Sequence, residues 1–192
     1  TVPKTVRFNL LGKPSAGITA KDIILYLMAQ PYIKGSHAIG QVLEFAGEGL
    51  QHLGFDERAV LTNMAVEAGA TTGIVEPDEV VLDYLMEMRS GLDRAALQAA
   101  CLQSDPGATY AASFDVRLDE IVPMVATPGD PRNGVPLTEL GAPIAVDIAY
   151  GGSCTGGKRS DMDQYASVLG PALERGEHVP EGVHAYIQFG SQ

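Results

Sequence analysis

The sequence predicts an α/β protein, with a small mixed α/β domain over residues 1–104 and part of a doubly wound α/β domain over residues 105–192. Strand-like alternation and helical periodicity follow one another along the first part of the chain, as they do in α/β folds. Near residue 105 the composition changes to short segments separated by Pro, Gly and Asp. Beyond that point, two apolar segments flank one helical segment, which indicates parallel strands joined by a crossover helix.

The first domain begins with a strand. Residues 5–11 alternate apolar and polar side chains, which is the period of a half-buried strand. A helix follows Thr19, a typical N-cap residue with an acidic residue three positions later, and it ends at Pro31. Residues 41–49 predict a short strand that enters a glycine turn, and residues 56–70 predict a second helix. Two further helical segments extend to about residue 105.

Two buried strands are expected in the second domain, at residues 143–150 and 183–189. Residues 160–173 predict the helix that joins them, so the strands should be parallel and the crossover right-handed. Such a half sheet presents an unpaired edge and apolar surface. We therefore expect the isolated chain to dimerise or aggregate.

Composition and charge exclude several classes of function. With 24 acidic and 13 basic residues and a formal net charge of −11, the chain is not expected to bind nucleic acid. It contains no run of about 18 apolar residues, so no membrane span is expected. Two cysteines and the lack of a signal peptide indicate a reducing, cytoplasmic setting. The chain starts without a methionine and already in a strand, which indicates a piece of a longer protein.

The stretch AVDIAYGGSCTGGKRSDMD, residues 145–163, allows two interpretations. Gly152, four intervening residues and the pair Gly157-Lys158 provide most of the phosphate-binding pattern G-x-x-x-x-G-K-[ST]. However, Arg159 stands where a hydroxyl has to hold Mg²⁺, and no convincing apolar strand elsewhere ends in the supporting Asp. A nucleotide site is therefore the weaker interpretation.

The other interpretation is a site built on Cys154. A strand end followed by a glycine turn exposes backbone N–H groups, and a helix starting near Ser160 adds its positive end. Lys158 and Arg159 add positive charge, and all of these features favour a thiolate, the form that attacks or binds metal. A small buried cysteine in a turn is the more common alternative. No His lies in a pattern that predicts a Cys-His pair or a zinc site.

Asn63 and Glu67 form a second candidate site. They are four residues apart in a predicted helix, so we expect them on one face. An amide and a carboxylate in this arrangement can orient a ligand or a metal-bound water. A solvated polar face is the plainer alternative, and the spacing alone favours it.

Several segments together resemble one known family. GGSCTGGKRSDM resembles the G-S-C-T-N-G-[RK]-x-x-D signature of the aconitase superfamily, and RAVLTNMAVEAGATTGIVEPDE resembles its R-x-x-[IL]-x-N-M-x-x-E-x-G-A stretch. Further family segments are similar, in family order, to VPKTVRFNLLGKPSAGITAKDIILYL, EFAGEG, LDEIVPMVATPGDPRN and IQFGSQ. The resemblance covers essentially the whole chain. It is closest to the large, catalytic subunit of isopropylmalate dehydratase and homoaconitase.

The resemblance implies a [4Fe-4S]-dependent hydro-lyase that dehydrates and rehydrates a small hydroxy-carboxylic acid such as isopropylmalate, homocitrate or citrate. Cys154 matches the first of three cysteine ligands of the cluster, and Ser153 and Thr155 flank it as cofactor-binding residues. Glu67 matches the glutamate that hydrogen-bonds water or hydroxyl at the open iron, and Asn63 matches an asparagine beside the cluster. The open iron acts as a Lewis acid.

The sequence also departs from the family pattern. Gly156 stands where the family usually has Asn, and the C-x-x-C pair that supplies the other ligands is absent, as are the upstream histidines and the downstream arginines. We therefore expect this chain alone to retain no cluster and to be inactive. It would need the missing N- and C-terminal parts of the large subunit and a small swivel subunit or domain. The alternative is a non-catalytic binding or assembly module derived from the same fold.

Overall fold

Parallel strands and helices alternate in the computed structural model, which describes residues 2–190, and this confirms the predicted α/β class. The described strands are β1 Thr5–Leu11, β2 Val42–Ala46, β3 Thr72–Val75, β4 Ala112–Arg117, β5 Met124–Ala126, β6 Gly134–Pro136, β7 Ile148–Gly152 and β8 His184–Gln188. The described α-helices are α1 Ala20–Ala29, α2 Pro31–Lys34, α3 Phe55–Asn63, α4 Glu79–Met88, α5 Arg94–Ala100, α6 Ser153–Gly156 and α7 Arg159–Glu174. Short 3-10 helices cover Glu48–His52, Leu118–Glu120 and Leu137–Glu139. Among these residues, the helices are all too short or too polar to cross a lipid bilayer.

The chain divides into two compact units between Glu139 and Leu140. This differs from the division that the sequence predicts after residue 104. The reason is that β4 pairs in parallel with β1, with Val6 opposite Ala112, and so belongs to the sheet of the first unit. The paired residues are far apart in sequence, so no local pattern indicates the pairing.

The first unit is built on a four-stranded parallel sheet with the strand order β3-β2-β1-β4. Every second residue of β1 is buried, as its alternation predicts, and these residues are Val6, Phe8 and Leu10. The ring of Phe8 stacks on those of Phe45 and Phe114, with centroid distances of 5.8 and 5.6 Å. Apolar side chains of α1 and α3 complete this core. Each fully buried large side chain contributes about 1.5–3 kcal/mol to folding.

Helix α1 begins as the capping pattern predicts. The N–H and the hydroxyl of Thr19 both donate to the Asp22 carboxylate at 2.9 Å. The N–H of Ala20 donates to Glu57 of α3 at 3.3 Å, and Pro31 ends the helix and opens α2. Hydrogen bonds within the unit therefore hold the first turn of α1 next to α3.

The second unit contains the predicted parallel strand pair. β7 pairs with β8 from Ile148 to Gly152, and α7 lies between the two strands in sequence. The expected burial of these strands is wrong for the described chain, because Ile148, Tyr150 and Tyr186 are 61%, 56% and 54% exposed. Two strands and one long helix do not provide the layers that normally cover both faces of a parallel pair.

Candidate functional site

Cys154 lies in the turn between β7 and α7. β7 ends at Gly152, and the short helix α6 contains Ser153, Cys154 and Thr155. Gly152 and Ser153 have positive φ values of 129° and 67°, so the chain bends sharply just before the cysteine. The Cys154 side chain is exposed, which does not match the buried cysteine of the alternative interpretation.

Glycines pack the end of β8 against this turn. A Cβ atom on Gly152 would overlap the carbonyl oxygen of Gln188, and one on Gly157 would lie 2.5 Å from both the Gly190 nitrogen and the Ser153 oxygen. The N–H of Gly190 also donates to the Gly157 carbonyl at 2.8 Å. Backbone atoms thus fill the space that a side chain at Gly152 or Gly157 would need. Only glycine at these two positions permits such a close approach.

Hydroxyl groups flank the sulfur of Cys154. The Ser153 hydroxyl donates to Cys154 Sγ over 3.7 Å, and Thr155 Oγ1 lies 3.8 Å from the same sulfur. Hydrogen-bond donors near a sulfur stabilise its thiolate form, which is the form that binds metal. The structure therefore places the hydroxyl groups of Ser153 and Thr155 next to the Cys154 sulfur.

Lys158 stabilises the conformation of the turn. Its Nζ atom donates to the Thr155 carbonyl at 2.5 Å and pairs with the Asp161 carboxylate at 2.9 Å. Its N–H donates to the same carboxylate at 2.9 Å, which caps α7. In a phosphate-binding loop the lysine side chain and the backbone N–H groups bind the phosphates. Here the Lys158 side chain and N–H bind groups of the protein itself, which disfavours the nucleotide interpretation. The hydroxyl of Tyr165 donates to the Gly156 carbonyl at 3.0 Å, a contact that the sequence does not indicate.

Asn63 and Glu67 lie at the end of α3, in the first unit. The helix ends at Asn63, Met64 is its C-cap residue, and residues 64–69 form turns. The prediction of a helix through residue 70 was therefore wrong, and so was the shared helical face of Asn63 and Glu67. Both side chains are exposed.

Turns that end at Gly69 follow this helix and lead the chain toward β3. Gly69 has a φ of 82°, and the next N–H, from Ala70, donates back to the Ala65 carbonyl at 3.1 Å. The Gly69 carbonyl accepts the N–H of Gly40 at 3.1 Å. These bonds replace a further helical turn and direct the chain into β3.

A buried ion pair anchors α3. Arg58 is 3% exposed, and two of its nitrogens each lie 2.7 Å from an oxygen of Asp78, the N-cap residue of α4. The guanidinium also donates to the carbonyls of Leu53 and Leu50, at 3.0 and 2.7 Å. Burial raises the pKa of Asp78, but the hydrogen bonds and charge of Arg58, with backbone N–H groups of α4, outweigh burial and hold that pKa below its ordinary value. The helix that ends at Asn63 is therefore held by a buried cation that donates four hydrogen bonds.

The turn fits one ligand of an iron–sulfur cluster. Clusters of this kind are held by thiolates, and hydrogen bonds to the sulfur atoms tune them, as the hydroxyls beside Cys154 can. Cys101, the other cysteine, is half-buried and follows α5 in the first unit. Within residues 2–190, no group of three or more His, Cys, Asp or Glu side chains is arranged to hold a metal ion.

The chain is similar over most of its length to proteins of known family. The model of the Aconitase family (aconitate hydratase) matches residues 1–192. The 3-isopropylmalate dehydratase large subunit of Aquifex aeolicus is 35% identical over 187 residues, which are 97% of this chain and 40% of that subunit. The same subunit of Acetivibrio thermocellus is 36% identical over 168 residues, 88% of this chain and 38% of the relative. The 2,3-dimethylmalate dehydratase large subunit of Eubacterium barkeri is 32% identical over 186 residues, 97% of this chain and 41% of the relative.

Proposed function

The chain belongs to the aconitase family, as the motifs predicted, and from this we propose that it is part of the large, catalytic subunit of a [4Fe-4S]-dependent hydro-lyase. The reaction removes water from a small hydroxy-carboxylic acid and adds it back across the resulting double bond. Relatives are dehydratases of 3-isopropylmalate and 2,3-dimethylmalate, which supports a substituted malate as the substrate. Homocitrate and citrate are further candidates from the same chemical class.

In this proposal Cys154 supplies one thiolate ligand of the cluster. The observation that carries it is the turn, in which the bend at Gly152 and Ser153 precedes an exposed sulfur with hydroxyl groups 3.7 and 3.8 Å away. Ser153 and Thr155 stabilise negative charge on that sulfur. When bound, the cluster supplies an open iron that acts as a Lewis acid toward the substrate.

Glu67 and Asn63 are the catalytic residues that we propose in the first unit. The Glu67 carboxylate accepts a hydrogen bond from the water or hydroxyl group that leaves the substrate. This bond fixes the position of the proton on the leaving oxygen. The Asn63 amide donates a hydrogen bond beside the cluster. Support for these roles comes from the match of each position to the family stretch, because the helical spacing no longer provides it.

The chain does not act alone in this proposal. It spans about 40% of the length of the curated relatives it matches, and its sequence lacks the C-x-x-C pair that the family uses for the other ligands. The N- and C-terminal parts of the large subunit and a small subunit or swivelling domain complete the site. The isolated chain holds no cluster and has no activity. We assign the assembled enzyme to the cytoplasm, where cysteines stay reduced, and to amino-acid biosynthesis.

Iron analysis of the full-length protein, purified without oxygen together with its partner subunit, tests the proposed function. We expect about four iron atoms per large subunit and dehydration of 3-isopropylmalate. Cys154→Ser should remove most of the iron and the activity. Cys101→Ser, which changes the half-buried cysteine, should retain both. A full-length wild-type protein with no iron, sulfide or dehydratase activity after reconstitution would contradict the proposed function.

A non-catalytic binding or assembly module is the second candidate. Gly156 favours it, because the family's Asn provides a side chain that this sequence lacks. The structure offers another reason for glycine here, since a Cβ atom would approach the Tyr165 hydroxyl at 3.2 Å, next to its hydrogen bond with the Gly156 carbonyl. The same iron analysis separates the candidates, because the module predicts a full-length protein that binds no iron.

A further inference from the structure

Two glycines beside the Cys154 turn leave space for one side chain, that of Tyr165. Neither Gly151 nor Gly156 has a positive φ, so a left-handed backbone does not explain glycine at either position. A Cβ atom on Gly151 would lie 3.0 Å from the ring and the hydroxyl of Tyr165, and one on Gly156 would lie 3.2 Å from the same hydroxyl. Both distances are shorter than ordinary van der Waals contact. The two glycines therefore make room for the tyrosine ring and its hydroxyl.

Tyr165 connects the two sides of the cysteine turn. It lies in α7, and its hydroxyl donates to the Gly156 carbonyl at 3.0 Å. Gly156 is the last residue of α6, the short helix that contains Cys154, and the last carbonyls of a helix have no partner within that helix. Gly151, against which the ring packs, lies in β7 before the turn. One side chain therefore contacts the chain on both sides of Cys154 and limits how far the turn can shift relative to β7.

The same hydroxyl lies next to residue 156, where the family usually has asparagine. The first atom of an asparagine side chain at this position would already approach the hydroxyl to 3.2 Å. The asparagine and the Tyr165 hydroxyl therefore compete for the same space. Glycine at residue 156 does not leave the turn without a polar side chain, because α7 supplies one.

We propose that Tyr165 is a positioning residue that replaces the family's asparagine and fixes Cys154 in the conformation that binds the cluster. Since this role requires a cluster ligand at Cys154, it rests on the proposed function. Groups that orient a metal ligand affect how tightly it binds, so the loss of one weakens the metal site without removing a ligand. Tyr165 acts through the backbone of the turn, because its hydroxyl bonds to the Gly156 carbonyl.

A purely structural role for Tyr165 makes a different prediction. Its ring also packs α7 against β7 within the second unit. A tyrosine that served only this packing would affect the melting temperature and leave the properties of the cluster unchanged. A positioning tyrosine instead changes the rate of iron loss and the spectrum of the cluster.

Iron release and electron paramagnetic resonance of the full-length holoenzyme test the role of Tyr165. Tyr165→Phe keeps the ring and removes only the hydroxyl. It should speed the loss of iron to a chelator about 2- to 10-fold, the factor that one hydrogen bond contributes, and change the resonance spectrum of the reduced cluster. Tyr186→Phe is the matched control, since it removes the hydroxyl of an exposed tyrosine of β8 and should change neither property.

Gly156→Ala tests whether the glycine and the tyrosine act together. In the wild-type background the added Cβ crowds the Tyr165 hydroxyl, so iron loss should become faster. In the Tyr165→Phe background the same substitution should have no further effect. The reason is that, apart from the adjoining backbone, this hydroxyl is the one atom of the described residues within 4 Å of that Cβ. Equal effects in the two backgrounds would show that the glycine does not serve the tyrosine and would overturn the replacement of the asparagine.

Other results would also overturn this role. An unchanged spectrum and an unchanged rate of iron loss, with a lower melting temperature, assign Tyr165 to the fold alone. If Tyr165→Phe does not fold, Gly151→Ala provides the same comparison, because its Cβ displaces the ring and leaves the hydroxyl present. A wild-type full-length protein that binds no iron or sulfide after reconstitution removes the proposed function, and the role of Tyr165 with it. A wild-type protein with a complete cluster, beside a Tyr165→Phe variant that matches it in both properties, removes only the role of Tyr165.

Discussion

The turn that contains Cys154 leaves no space for a side chain at Gly157. We expect Gly157→Ala to lower the free energy of unfolding of the second unit by about 1–3 kcal/mol, the usual cost of overpacking. The physical reason is that the added Cβ would lie 2.5 Å from two backbone atoms, the Gly190 nitrogen and the Ser153 oxygen. Chemical denaturation followed by circular dichroism measures the change.

Gly170→Ala is the matched control for this substitution. Gly170 lies in α7, and no atom outside its own stretch of helix lies within 4 Å of a Cβ built there. Because alanine is favoured over glycine inside a helix, we expect Gly170→Ala to leave the free energy of unfolding unchanged or to raise it by up to about 1 kcal/mol. Equal losses at Gly157 and Gly170 would show that the turn adjusts to a side chain and would contradict the prediction.

Single residues could be predicted from the sequence where their neighbours in sequence are also their neighbours in space. The strand end and the glycines adjoin Cys154, so the sequence indicates a glycine turn at the cysteine. It does not indicate that Lys158 pairs with Asp161 or that Tyr165 reaches Gly156, because both contacts depend on the conformation of the folded turn. The positive charge of Lys158 was expected to favour the thiolate form of Cys154. The ion pair with Asp161 offsets that charge.

At the scale of helices and strands, α1 and α3 show the same difference between local signals and the folded conformation. Thr19 and Pro31 delimit α1, and both signals are local, so the helix was predicted closely. The end of α3 was not, because no glycine or proline marks the stop at Asn63 and Met64. Apolar periodicity continues past Asn63 although the helix does not.

The ion pair between α3 and α4 leads to a stability prediction. Arg58→Met should lower the free energy of unfolding of the first unit by about 3–5 kcal/mol, because it leaves the partly buried Asp78 carboxylate without its cation. Methionine keeps much of the length of the side chain, so the loss of charge dominates. Urea denaturation at neutral pH measures the difference.

The pH dependence of this difference provides a check. Although burial raises the pKa of Asp78, Arg58 holds it below the ordinary value of 3.8, so the ion pair contributes fully above about pH 4 and is lost as the pH falls through the folded-state pKa. The difference in the free energy of unfolding between wild type and Arg58→Met should therefore become smaller in acid. Arg94→Met, which breaks an exposed pair with Glu79, should cause a much smaller loss at any pH. A gap that stays constant down to acid pH would contradict the role of Asp78.

At the scale of the whole molecule, the sequence predicts the α/β class but not the division of the chain. Strands and helices leave local periodic signals, whereas the parallel pairing of β1 with β4 depends on contacts between distant residues. The change of composition near residue 105 is real, but it occurs inside the first unit, which extends to Glu139.

The second unit exposes apolar surface on both its strands and its long helix. The large exposed side chains include Ile148, Tyr150, Ile187, Phe189, Val168, Leu169 and Leu173. Parallel strands are normally covered on both faces, and large exposed apolar patches mark contact surfaces. We therefore expect the isolated 192-residue chain to dimerise or aggregate through this unit, as measured by sedimentation velocity.

A shortened chain that ends at Glu139 is the control for this prediction. It keeps the buried core of the first unit and lacks the exposed strands, so it should sediment as a monomer at the same concentration. Equal association of the two chains would place the contact on the first unit. A monodisperse monomer of the whole chain would contradict the prediction outright, because the apolar side chains of β7, β8 and α7 would then have to remain in water without driving association.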